Sequence, residues 1–285
     1  MRSASTPLLA CLGLVVGCAT TPIATTRGGP DFGSLTIEHR PFAFHHDIEL
    51  IEVTNGMKVA LIPDYRTTVA TIDLRFAVGA AEDLTGRAGL AHLVEHLVFE
   101  LRGAPGGPTL GEELGELALY SNASTSWDET HFVAVVPADQ LEAALRLEGR
   151  RMRAACDQLD EATFARERDV VLAEDRQRAS PALDLYLELI AETYGADHPY
   201  ARPIGSAEVA AATRAEVCVF IASHYTPDRA YLVVHRAFDV PATQALIGRI
   251  FGPVTARAPA PRATVAAPRL AGGVTRREAE VERPI

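Results

Sequence analysis

Hydrophobic and polar positions change period several times along the chain, and each change marks an element. Two apolar segments, 48–53 and 57–62, flank Asn55–Gly56, a dipeptide that supplies the positive backbone angles of a two-residue hairpin. Residues 69–78 read as a buried strand. Residues 89–99 are apolar helix formers with no Pro among them, so a buried helix is predicted there. A Gly/Pro loop at 102–108 leads to Thr109 and Glu112, a capping box for a helix reaching about residue 119. Residues 121–126 and 130–136 read as strands around a turn at Trp127, Asp128 and Glu129. An amphipathic helix is predicted over 140–153, with Leu141, Ala144, Leu145 and Leu147 on its apolar side. Asp160 can cap the next helix, and Pro181 opens one over 182–194. Thr213 and Glu216 form a second capping box, 230–235 is a strand and 240–251 a final helix.

Strands and helices therefore come in clusters rather than in strict alternation. That pattern predicts an α+β domain, a mostly antiparallel sheet with helices packed on one face, over residues 45–254. The ends differ in character. Residues 8–17 are an apolar run too short to span a bilayer as a helix, preceded by Arg2 and followed by Cys18. Small residues before a cysteine at that place resemble a bacterial lipoprotein signal over 1–18, with Cys18 lipidated. An ordinary secretory signal cleaved elsewhere and an uncleaved anchor are the alternatives. Residues 19–44 are rich in Thr, Gly and Pro and read as a flexible tether. Residues 255–285 are Ala- and Pro-rich at first and read as a linker into the start of a missing second half.

Composition narrows the partners. The formal net charge is -10, so nucleic acid and anionic membrane surfaces are disfavoured, and membrane contact would run through the lipid alone. With no C-x-x-C there is no thiolate zinc site. Cys156 and Cys218 could pair in an oxidising compartment; two buried free thiols are the favoured reading.

The predicted helix at 89–99 carries the chemistry. His92, Glu95 and His96 form H-x-x-E-H. On a helix His92 and His96 sit one turn apart on one face and can bind one Zn²⁺. Glu95 borders the same site as a candidate general base. A catalytic zinc needs a third protein ligand and an open position. Glu167 and Glu174, seven apart, share a face of the helix that Asp160 caps. Glu174 can be the ligand, and Glu167 a carboxylate that orients a ligand histidine.

This motif within Gly-Leu-Ala-His-Leu-Val-Glu-His, followed by Glu-Arg-Asp-Val-Val-Leu-Ala-Glu at 167–174, resembles the pitrilysin family of inverted-motif zinc peptidases. Insulin-degrading enzymes and mitochondrial processing peptidases belong to it. The lead at Val78, Gly79 and Glu82 is similar too, as are Asn122 to Thr125, His198 to Gly205, and His224 to Pro227. The resemblance implies a zinc endopeptidase holding one Zn²⁺, with a peptide substrate adding a strand along the edge near Asn122 and Ala123. It also implies a working unit of two such domains or subunits, the second supplying an Arg and a Tyr. The chain is then a fragment, a truncated product or one half of a two-chain enzyme. With the signal, this implies a bacterial cell-envelope protein, lipid-anchored on the outer membrane and facing the periplasm. A non-catalytic envelope lipoprotein using the domain for binding or assembly is the alternative function. The remaining histidines have no ligand spacing, and His235 departs from the family's usual pair at that place.

Overall fold

In a computed structural model, residues 47–153, 156–202, 207–236 and 238–255, with residue 276, are described. The predicted signal, Cys18, the tether, His45 and His46, the segment 203–205 and most of 255–285 lie outside the described residues. Six strands form one sheet: β1 (Glu49–Glu52), β2 (Lys58–Pro63), β3 (Val69–Phe76), β4 (Tyr120–Thr125), β5 (Thr130–Pro137) and β6 (Ala230–Arg236). Their order is β1-β2-β6-β3-β5-β4. All pairs are antiparallel except β2 with β6, where Lys58 lies opposite Tyr231 in a parallel register. The sheet is thus mixed at one pair, because the last strand inserts between β2 and β3 rather than joining an edge.

Burial alternates strictly along β3 and β5. Ala70, Ile72, Leu74 and Phe76 point to one face, with Phe132, Ala134 and Val136 beside them. The chain has eight α-helices among the described residues: α1 (Leu90–Leu97), α2 (Leu110–Leu117), α3 (Leu141–Met152), α4 (Glu161–Arg178), α5 (Pro181–Tyr194), α6 (Ala207–Ala210), α7 (Arg214–His224) and α8 (Val240–Phe251). Of these, α1 and α3 pack on that face of the sheet. Both capping boxes form, at Thr109 with Glu112 and at Thr213 with Glu216, and Asp160 caps α4 as expected. The helix begun at Thr109 ends at Leu117, two residues early, because Leu119 already donates its N–H to Val135 at the start of β4.

Two glycines fix the approach to α1. A Cβ on Gly79 would stand 2.3 Å from the Ser126 carbonyl oxygen. The two backbones run that close because Ala80 and Ala81 donate to the carbonyls of Ser126 and Trp127. Gly89, just ahead of α1, holds φ at +93°.

Cys156 and Cys218 are bonded to each other, with Cα atoms 5.4 Å apart, so the expected free thiols are corrected. The helical positions that made both look like buried core residues also bring α7 against the segment before α4. The bond closes a loop across 62 residues of separation, and replacing both cysteines by serine is expected to cost about 2–4 kcal/mol. Urea unfolding with and without reductant checks this; equal midpoints would contradict it.

Candidate metal centre

The site begins where α1 begins. Gly89 offers no side-chain cap, and Asp83 takes that role from outside the helix. Its carboxylate accepts from the N–H of Gly89 at 2.7 Å and of Ala91 at 2.7 Å. Burial pushes the Asp83 carboxyl up to about 7, while the two N–H bonds pull it down. Glu82, the residue expected to lead into the helix, turns away to Arg229 and His224.

Six of the eight residues of α1 are buried, so the helix is pinned by its apolar face. His92 and His96 project from the other side with ring centroids 5.0 Å apart. α4 packs against α1 and delivers the two glutamates. Glu174 places Oε2 at 3.5 Å from His92 Nε2 and Oε1 at 3.6 Å from His96 Nε2. Glu167 places Oε2 at 3.5 Å from His96 Nδ1, and its other oxygen accepts from Arg166 at 3.0 Å. His92, His96 and Glu174 offer donor atoms all within 4.8 Å of one another.

This donor set fits zinc. Three atoms bound tetrahedrally at about 2.0–2.2 Å from one ion lie roughly 3.3–3.6 Å apart. Two imidazoles and a carboxylate are an ordinary catalytic set. Burial, and then the neighbouring His96, push His92 down to about 4, which keeps its ring neutral as a ligand must be.

Glu95 faces the same space but is no part of that triangle. It is 8% exposed, and Thr125 Oγ1 donates to its Oε2 at 2.6 Å. Behind Thr125 runs a buried polar chain. Thr130 lies 3.4 Å from Thr125, bonds the Val78 carbonyl at 2.9 Å and meets the Tyr225 hydroxyl at 3.1 Å. Burial raises the Glu95 carboxyl above the usual carboxylate range, and the Thr125 bond opposes that.

Asn122 and Ala123 lie on β4, the end strand of the sheet, whose outer edge pairs with no other strand among the described residues. Two cavities flank the site along this edge. One, of about 320 Å³, runs past Ala123 to Trp127 and back to Asp83. The other, of about 420 Å³, is lined by Asn122, His96, Glu167 and Glu174.

The structure thus brings together His92, Glu95, His96, Glu167, Glu174, Asn122 and Ala123. Sequence reasoning missed four neighbours. Asp83 carries no local signal, and Thr125 looked like one more polar strand residue. Arg178 follows Glu174 by one turn, a spacing that could have found it. Trp127 read as a turn residue, yet it stacks on Tyr200 at 5.2 Å and walls the first cavity. The other histidines among the described residues stay out of the site. His131 lies 3.6 Å from Asp73 on the open face, His198 meets Tyr194 and Tyr200, and His235 lies 3.4 Å from Asp64.

Comparison with known proteins identifies the family of the chain. Residues 58–208 match the family model described as Insulinase (Peptidase family M16). The zinc protease PqqE of Helicobacter pylori is 30% identical over 191 residues, covering 65% of this chain and 42% of that protein. Human insulin-degrading enzyme is 29% identical over 153 residues, 53% of this chain and 15% of its own length. The chain spans about two fifths of the length of the zinc proteases it matches. Among solved structures, a protease from Helicobacter pylori superposes with a TM-score of 0.67 at 25% identity, covering 79% of this chain and 54% of that one. Pitrilysin shares the fold, with a TM-score of 0.68 at 24% identity over 79% of this chain and 24% of its own. The matched segment holds the whole motif, both glutamates and the β4 edge, and covers more than half of the sequence, so the chain belongs to the insulinase family of peptidases, family M16.

Proposed function

We propose that this chain is the zinc-bearing part of a metallo-endopeptidase, with His92, His96 and Glu174 as ligands and Glu95 as general base. One observation carries the reading. Three donors from two helices meet at ligand spacing beside a buried carboxylate that a threonine holds in place. Bound there, zinc would acidify a water and polarise a peptide carbonyl.

The chain's own residues do the rest. Glu95 accepts the proton of the attacking water and returns one to the leaving amine. Thr125 fixes one oxygen of its carboxylate, which leaves the other to take the proton. Glu167 holds His96 through Nδ1, leaving Nε2 for the metal. An extended peptide would pair with the free edge of β4 at Asn122 and Ala123, which positions its scissile bond by backbone hydrogen bonds.

The reading includes a second domain or subunit. α5 is rich in Leu, yet none of its residues is buried, and Leu189 and Tyr186 are exposed. An apolar helix left open beside a catalytic cleft suits a partner surface. Enclosure also strengthens charge stabilisation, and one missing oxyanion donor costs about a hundredfold to a thousandfold in rate. The test is hydrolysis of an unstructured peptide by the zinc-loaded monodisperse monomer, with and without a second peptidase-like domain supplied as the added half. We expect weak turnover that a chelator abolishes and the added half raises at least a hundredfold. A monomer as fast as a two-domain relative would contradict the half-enzyme reading.

Export is part of the proposal. The signal-like segment before Cys18 and the bonded pair Cys156–Cys218 both suit an oxidising envelope compartment. Cys18→Ser should move the protein from the membrane to the soluble fraction or block its processing. Unchanged membrane fractionation would count against lipidation.

A further inference from the structure

Four residues line both cavities among the described residues: His92, Glu95, Ala123 and Arg178. A peptide running along β4 must cross from one cavity to the other past these four, so the bond to be cut lies at their junction. The first three have roles in the reading above. Arg178 has none. It is the last residue of α4 and its side chain is 53% exposed. Its Nη2 donates to Glu174 Oε2 at 2.7 Å, one turn back along the helix. That single bond aims the guanidinium and leaves its other donors facing the cleft. Arg202 also lines the first cavity, but its Nη1 is turned to the Asp83 carbonyl.

Resting on the peptidase reading, we propose that Arg178 is a specificity residue that binds a carboxylate of the substrate next to the scissile bond. The chemistry favours a carboxylate over a neutral group. A guanidinium is planar and always charged, and it matches a carboxylate with two parallel N–H bonds. Once Glu174 shares its charge with a cation, it no longer neutralises Arg178. The whole chain at -10 attracts basic peptides at long range, whereas this one group reads charge at contact. Two sources of carboxylate fit, an acidic side chain or the peptide's own C-terminus.

The experiment uses the full chain as Glu95→Gln, zinc-loaded, so that bound peptide is not cut. Fluorescent ten-residue peptides are titrated in two matched pairs, Glu against Gln beside the central bond, and free C-terminus against amide. In at least one pair the carboxylate form should bind about fivefold tighter, the size of a half-exposed ion pair, and the pair that responds names the source. Adding Arg178→Gln should erase the difference, and Arg178→Lys should keep part of it, with zinc content unchanged in both. Equal binding within both pairs, or a preference that survives Arg178→Gln, would overturn the assignment. A preference in protein that holds no zinc would instead sink the metal reading and leave Arg178 as a carboxylate site.

Discussion

Glu95→Gln is expected to keep its zinc and lose about a hundredfold to ten-thousandfold in kcat. The amide has nearly the shape of the carboxylate, and its carbonyl oxygen can still accept the Thr125 hydroxyl bond seen at 2.6 Å. The three donors of the metal triangle are untouched, since Glu95 is not among them. What the variant cannot do is accept a proton from the attacking water. Steady-state kinetics and metal analysis on the same preparation, in whichever assembly turns over peptide, check both halves of the prediction. Activity within a few-fold of wild type would remove Glu95 from the mechanism.

His96→Ala should lower zinc affinity about a thousandfold. Structural zinc in small zinc-finger peptides binds with on the order of 10–16 kcal/mol; on that scale roughly a third of the protein's share leaves with one of three donors. The loss also strands Glu167, whose carboxylate then faces no imidazole. Glu167→Gln should show a smaller loss of about tenfold to a hundredfold, because it disturbs the orientation of His96 and not its presence. Competition against a chromophoric chelator ranks the three proteins. The order wild type, Glu167→Gln, His96→Ala is the expected one. Comparable affinity in all three would mean that the zinc, if any, binds elsewhere.

Much of this site was legible in the chain because its residues obey local periods. His92 and His96 are one turn apart, and Glu167 and Glu174 are two turns apart. Each pair therefore declares a helix face without any knowledge of the fold. The capping residues Thr109, Asp160 and Thr213 were readable for the same reason, since a cap is a contact within three residues. Apart from Arg178, one turn after Glu174, the misses lie beyond the reach of a helical turn. Asp83 reaches the start of α1 across a loop, Thr125 reaches Glu95 across 30 residues of separation, and β6 enters the sheet beside β2 from the far end of the chain. No period in the sequence encodes those meetings, because they depend on which elements pack together. The cysteine pair belongs with them. Helical position suggested two core thiols, and only the packing of α7 against the segment before α4 brings the sulfurs together.

The most direct test of the metal assignment is a crystal of the zinc-loaded protein with anomalous data collected on both sides of the zinc edge. The account predicts one strong peak per chain, bonded to the Nε2 atoms of His92 and His96 and to the Glu174 carboxylate, with one coordination position open toward Glu95. A peak at any other donor set, or none between α1 and α4 in protein shown to carry zinc, would contradict it.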